Sequence, residues 1–467
     1  MKKFTPPSPS FCALPWVHLS TKPNGEIRLC CIASTSGAGK HGSVLDASGA
    51  RANLAKSSLN EAWNNEYMRT VRRQMLKGEK PLACSSCHKD EASGVRSKRQ
   101  WETWDWSSRI DLNRLIQATE ESGAVPEKIR YLDLRFGNFC NLRCIMCRPD
   151  ASSSWMGDWE KLEDRLQSPD LRKILPWDKG AHTVGTPNPW HKDKKFLAEL
   201  FLQIPFFEQL FFAGGEPLLH EEHYALLEEC VRQGHAEKIT LRYNSNGTYL
   251  PERVLELWKS FRRVYFEFSL DSVGPMNHYI RYPSNWSLIE KNLRKLDETG
   301  DSVEVNLAGS VQALNIFYLP EFIQWKIAQG FRKVNSWPVA AGLINFHLVY
   351  YPAHLNIKSL PRHAKQAIAD KFELFYVWLS KNYRSDQEFL EGASGTKRLE
   401  AMIEYMFSED WSDRHSEFVE YITVLDAIRG TSFAGTFPEF AKILNFPNSA
   451  TYRILPSVWS AEPSRIL

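Results

Sequence analysis

Tyr131-Leu132-Asp133-Leu134-Arg135-Phe136 leads through Gly137-Asn138-Phe139 into Cys140-Asn141-Leu142-Arg143-Cys144-Ile145-Met146-Cys147. The first stretch reads as a strand. The second sets three thiols at its end with the spacing C-x3-C-x2-C. Thiolates are the ligands of iron–sulfur clusters, and a closed four-iron cluster takes four of them. A compact loop with three leaves one iron open to another ligand. The alternatives are zinc, which takes four ligands in a structural site, and buried core thiols. The polar neighbours Asn138, Asn141 and Arg143 speak against a core.

Outward from this run the pattern is one of short apolar stretches alternating with helical ones. Strands are predicted at 129–134, 209–213, 239–243, 264–270, 303–307 and 334–339, and helices lie between them at 221–232, 252–260 and 288–298. Strands separated by helices predict a parallel sheet with right-handed crossovers. Residues 149–205 fit the repeat poorly and read as an elaborated first crossover. Residues 350–467 look mostly helical, with helices predicted at 364–382, 395–406 and 416–429. Ahead of the repeat, Pro23-Asn24-Gly25 lies between two apolar stretches and signals a hairpin, and a helix is predicted over 59–76.

The chain has 467 residues, which suggests roughly three domains. Apolar residues are 43% and charged residues 24%, as in ordinary globular proteins. Lys plus Arg is 58 against 55 for Asp plus Glu, a net charge of +3, which gives no support for a nucleic-acid or membrane-surface partner. No apolar run approaches the ~18 residues of a membrane span. The stretch from Met1 to Phe11 lacks the apolar core of a signal peptide, so the chain reads as cytoplasmic. Nine cysteines in such a chain read as ligands or catalysts before disulfides.

With Cys140, Cys144 and Cys147 after a first strand, the chain resembles the radical S-adenosylmethionine (SAM) superfamily. Ala213-Gly214-Gly215-Glu216-Pro217, at the second strand end, looks like that family's Gly-Gly-Glu-Pro motif, where glycines let the backbone approach the ammonium of SAM. Asn244-Ser245-Asn246-Gly247 ends the third strand. Ser269-Leu270-Asp271 ends the fourth and is similar to a motif near the SAM ribose and carboxylate. The resemblance implies SAM contacts from Met146, Gly214, Gly215, Glu216, Asn244, Asn246, Ser269, Asp271 and Arg281, with Gln312 and Asn315 as weaker candidates. Met146 stands where the family commonly has an aromatic residue.

The implied fold is a partial (β/α)6 TIM-like barrel at 125–345, flanked by a cysteine-rich module at 1–110 and a mostly helical region at 346–467. The implied chemistry is reductive cleavage of SAM at a [4Fe-4S] cluster. A 5′-deoxyadenosyl radical results and takes hydrogen from a substrate, with peptides and proteins common among auxiliary-cluster relatives. A flavodoxin or ferredoxin is the expected reductant.

The N-terminal cysteines extend the resemblance. Phe11-Cys12, Gly25 to Cys30-Cys31 and Cys84-Ser85-Ser86-Cys87 look like the auxiliary-cluster region called SPASM or twitch. That region commonly follows the barrel and here precedes it. Cys12, Cys30, Cys84 and Cys87 are the expected ligands of a second cluster, with Cys31 in reserve. A four-cysteine zinc site is the rival, since C-x2-C is also a zinc signature. For the whole chain the rival is a non-catalytic iron–sulfur or zinc protein acting as carrier or sensor.

Other features read as ordinary structure. Gly37-Ala38-Gly39-Lys40-His41 fails as a phosphate loop because Ser34 stands where a glycine is needed. His220 and His223 are expected to be solvated on a first helical turn. Arg96-Ser97-Lys98-Arg99 is expected to be a solvated basic run, and Cys230 a buried core thiol.

Overall fold

A computed structural model describes residues 4–33, 42–92, 96–126, 128–177, 179, 189–334, 344–382 and 395–447. Its centre is one eight-stranded sheet in the order β2-β1-β3-β4-β5-β6-β7-β8. The strands are β1 (His18–Thr21), β2 (Ile27–Arg28), β3 (Tyr131–Leu134), β4 (Gln209–Phe212), β5 (Thr240–Ser245), β6 (Arg263–Ser269), β7 (Val303–Val311) and β8 (Asn345–Leu348). Every pairing is parallel except β1 with β2. Strands β3 to β7 are the first five of the expected partial barrel, and β8 takes the sixth place with different residues from those expected.

The N-terminal module shares this sheet. β1 pairs with β3, Ser20 opposite Asp133, so the hairpin around Pro23-Asn24-Gly25 widens the barrel on its first edge. Gly25 holds φ +83°, and a Cβ there would press on Asn53 and the Trp190 ring. The helix predicted over 59–76 is two helices, Leu59–Trp63 and Glu66–Leu76. Asn65 breaks the run because its side chain caps the second helix by accepting from Met68 N–H. At the far edge, Val334 makes one isolated parallel bridge to Val305, and the last strand is Asn345–Leu348. The rest of the strand predicted at 334–339, and all of 37–41, lie outside the described residues.

Alternation along the strands sets the two faces of the sheet. In β6, Val264, Phe266 and Phe268 are buried against helices, while Tyr265, Glu267 and Ser269 are half-buried on the other face. β7 repeats the pattern over nine residues. Parallel strands are commonly apolar on both faces. Here the concave face is polar, carrying Asp133, Arg242, Asn244, Glu267 and Asn306 in register. A concave polar surface marks a cavity for ligands rather than a second core.

Helix Lys98–Arg109 closes one end of that cavity: Trp106 stacks on Tyr131, and Arg109 donates to Gln209. The basic run that leads into it is not a solvated face throughout. Arg99 is buried, paired with Glu91 and donating to the Phe11 carbonyl, and Lys98 is paired with Glu102. Only Arg96 of the three cations is exposed, over the rings of Trp101 and Trp104. Among the described residues, no helix is long and apolar enough to cross a membrane.

Candidate functional site

The loop from Gly137 to Cys147 leaves β3 and is fixed at many points. Asn138 donates to the Pro149 carbonyl, and Ser154 to the Cys140 carbonyl at 2.6 Å. Trp155 Nε1 donates to the Cys144 carbonyl at 3.0 Å. Arg143 and Ile145 donate their backbone N–H groups to the carbonyls of Tyr282 and Ile280. The loop is thus held open by backbone polarity rather than by a core of its own.

Cys140 and Cys144 are buried and Cys147 is half-buried. Burial pushes the Cys140 thiol up to about 12. Cys147 is raised, first by a hydrogen bond to Cys144 and then by burial, and the same bond lowers Cys144. Arg281 favours the thiolate at both. Thiols held neutral this way must release protons to bind metal.

The N-terminal thiols form a second group. Cys12 feels the charges of Cys84 and Cys30, and Cys84 those of Cys30 and Cys87, while burial raises all four. Cys31 acts on Cys30, and also on Lys98 and Arg135.

The spacing bears on zinc. A tetrahedral zinc thiolate site needs sulfurs about 3.8 Å apart, from zinc–sulfur bonds of about 2.3 Å. Among the described residues, no three cysteine sulfurs lie within 4.8 Å of one another. Neither thiol group is therefore gathered at the spacing of a single tetrahedral ion.

The strand-end motifs brace this loop. The Glu216 N–H donates to the Phe139 carbonyl at 2.7 Å. Its buried carboxylate accepts from Ser245 Oγ and the Asn246 N–H, each at 2.7 Å, and burial raises it to about 7. Asn246 Nδ2 reaches Asn141 at 3.0 Å and Cys140 Sγ at 3.7 Å. Gly214 and Gly215 both have positive φ. A Cβ on Gly215 would lie 2.3 Å from the Phe139 carbonyl, so what needs this glycine is the cysteine loop itself.

Asp271 and Arg281 form an ion pair, Nη2 donating to Oδ1 at 2.9 Å, while Nε lies 2.8 Å from Oδ2 outside hydrogen-bond geometry, and the Ser310 N–H donates to the same carboxylate. Asn315 donates to the Asp271 carbonyl. Met146 is half-buried against the cysteine loop. Asn244 is exposed and Ser269 half-buried, both on the concave face. Gln312, just past β7, is buried with its amide unpartnered among the described residues. An orphaned buried amide, together with open polar side chains on the concave face, fits a polar ligand such as SAM.

Sequence reasoning missed the outer brace. Arg429 donates to Asp158 and to the Arg143 carbonyl, each at 2.8 Å, and lies over the Trp155 ring. It also missed Asp133, which pairs with Arg28 and Arg135 on the concave face. His220 and His223, expected to be solvated, are buried because the start of helix Glu221–Arg232 packs under β4 and β5. There His223 Nε2 meets Tyr243 Oη at 2.8 Å. Cys230 is buried, as expected.

The radical SAM superfamily model matches residues 134–309, from the end of β3 into β7. Residues 134–309 are a radical SAM domain. An iron–sulfur cluster-binding SPASM domain matches residues 12–88 and precedes it. Together they imply [4Fe-4S] clusters and SAM as cofactors. Two curated relatives are GTP 3′,8-cyclases. One, from Vibrio atlanticus, is 22% identical over 46% of this chain and 55% of its own. The other, from Aeromonas hydrophila, is 24% identical over 40% and 44%. The chain spans about half the length of these relatives. Among solved structures, the chain is similar to native anSMEcpe with bound AdoMet at TM-score 0.34 and 15% identity, over 53% of this chain and 60% of that one. Streptococcus suis SuiB bound to S-adenosylmethionine matches at TM-score 0.31 and 10% identity, over 71% and 66%.

Proposed function

We propose that the chain is an enzyme that reductively cleaves SAM at a cluster on Cys140, Cys144 and Cys147 and takes hydrogen from a peptide or protein. The observation that carries this reading is the joining of Glu216, Asn246 and the Phe139 carbonyl to the three-thiol loop, which sets the mouth of a polar concave sheet beside it. When bound, a four-iron cluster with one open iron supplies the site for the amino and carboxylate groups of SAM and the electron that cleaves it.

The chain's own residues do the rest. Glu216 and Asn246 fix the loop, and the Asp271–Arg281 pair places a cation beside Cys144 and Cys147. Asn244, Ser269 and Gln312 offer polar contacts to SAM. Helix Lys98–Arg109 shuts one end of the cavity and keeps bulk water from that side. Cys12, Cys30, Cys84 and Cys87 hold a second, closed cluster, with Cys31 outside it. A flavodoxin or ferredoxin delivers the electrons.

The name of the curated relatives raises a nucleotide as a second substrate class. A triphosphate wants clustered, unpaired cations. Here, among the described residues, Arg28 and Arg135 are already paired with Asp133, Arg242 is a single exposed cation rather than a cluster, and Glu267 lines the same face. This mixed-sign surface favours a peptide, in line with the substrates that the SPASM resemblance implies. The test is release of 5′-deoxyadenosine and methionine from SAM by anaerobically reconstituted protein with dithionite. A carrier or sensor would hold its iron and release neither.

A further inference from the structure

A different buried cluster lies on the far side of the cysteine loop. His191 lies late in the long first crossover, in the turn Trp190–Lys192, and His220 and Glu222 lie at the start of helix Glu221–Arg232. All three are buried, at 3%, 5% and 8% exposure. One ring nitrogen of each histidine and one carboxylate oxygen lie within 4.8 Å of one another. His191 Nδ1 is 3.5 Å from Glu222 Oε2, and His220 Nδ1 is 3.9 Å from the same oxygen. Those distances are too long for good hydrogen bonds. His191 Nδ1 and His220 Nε2 are buried without a hydrogen-bond partner among the described residues.

We propose that His191, His220 and Glu222 bind a zinc ion that ties the first crossover to the cysteine loop. Two imidazoles and one carboxylate are a zinc donor set, and ligand bonds of about 2.0–2.1 Å put donor atoms about 3.3 Å apart in a tetrahedron. The observed separations need only small side-chain rotations to close on an ion. The two rings stand perpendicular, with centroids 5.6 Å apart, and the Nδ1 atoms of both face Glu222 Oε2. Burial holds His220 down to about 4, so its ring is neutral and can donate a lone pair.

The surroundings favour four-coordinate zinc over an octahedral ion. Phe136 packs against both rings, Phe139 against His220, and Trp190 against His191. Water can complete a fourth position, but there is little room for six ligands. Lys192, 3.8 Å from Glu222 Oε1, is 61% exposed in its side chain and can swing away.

The placement gives the ion its work. Phe139 immediately precedes Cys140, and its carbonyl holds Glu216. Trp190 Nε1 donates to the Pro23 carbonyl in the N-terminal hairpin turn. A zinc here would link crossover, hairpin and cysteine loop in one rigid corner. It is independent of SAM chemistry, so either reading can fail alone.

The experiment uses the full chain with its clusters rebuilt anaerobically, then equilibrated with zinc chloride and desalted. We expect about one tightly held zinc per chain, with a zinc-edge absorption shell of nitrogen and oxygen at about 2.0–2.1 Å and no sulfur. His220→Ala and the gentler Glu222→Gln should each lower retained zinc at least tenfold at unchanged iron content. No retained zinc, a sulfur shell, or full retention in Glu222→Gln would each overturn the proposal.

Discussion

Gly215 shows how a motif residue can serve a different neighbour from the one its pattern suggests. Its pattern points to close approach by SAM. In the structure the space a side chain would take belongs to the Phe139 carbonyl, one residue before Cys140. Gly215→Val should therefore cost about 2–4 kcal/mol of loop docking, from overpacking and a positive φ. Iron content and cluster absorbance after reconstitution should fall together with SAM binding. Full iron with SAM binding alone lost would show that the glycine serves the ligand. The cysteines and the strand-end motifs were legible in the sequence because their spacing is local. The partners of Asp271 and Glu216 were only partly so. Arg281 and Asp271 were read as separate SAM contacts, and nothing local says that they pair with one another.

Among elements, the first five barrel strands and the three C-terminal helices were legible from periodicity, with bounds shifted by a few residues, whereas the sixth strand, expected at 334–339, is Asn345–Leu348. Two facts were not. β1 joins the barrel through a parallel pairing across more than a hundred residues, which no local pattern encodes. Helix His415–Arg429, which ends at Gly430 in the left-handed conformation, packs on helix Met156–Arg165 and braces the cysteine loop through its last residue. Arg429 and Asp158 expose only 2% and 5% of their side chains. Removing the guanidinium leaves a buried carboxylate with Arg143 as its remaining partner. Arg429→Ala should destabilise the chain by about 3–5 kcal/mol in chemical denaturation and reduce iron recovered on reconstitution. A loss below about 1 kcal/mol, the scale of an exposed pair, would mean that the brace is dispensable.

For the whole molecule, stability depends on pH through buried groups that are not themselves thiols. Burial lowers His354 to about 3 and His18 to about 4. Their unfolded value is about 6.5, so the unfolded chain binds more protons below that pH. The stability they contribute is full above about pH 6.5 and is lost as pH falls toward their folded values. Glu216 runs the other way: raised to about 7, it contributes stability that is lost as pH rises from about 4.5 through 7. Denaturation of the metal-free chain should show an acid limb between about pH 5 and 6.5 that His354→Gln flattens. An unchanged slope in that variant would show that His354 is hydrated in solution.

Two thiol groups with different roles are the central claim, and one paired measurement reaches it: iron and 5′-deoxyadenosine in the same reconstituted samples. The wild-type chain should carry about eight irons and release 5′-deoxyadenosine from SAM with dithionite. Cys84→Ala with Cys87→Ala should lose about half the iron and keep that release, because the open cluster sits on the other loop. Cys144→Ala should stop the release while the N-terminal iron remains. Full release from Cys144→Ala, or none from a wild-type chain with all its iron, would contradict the account.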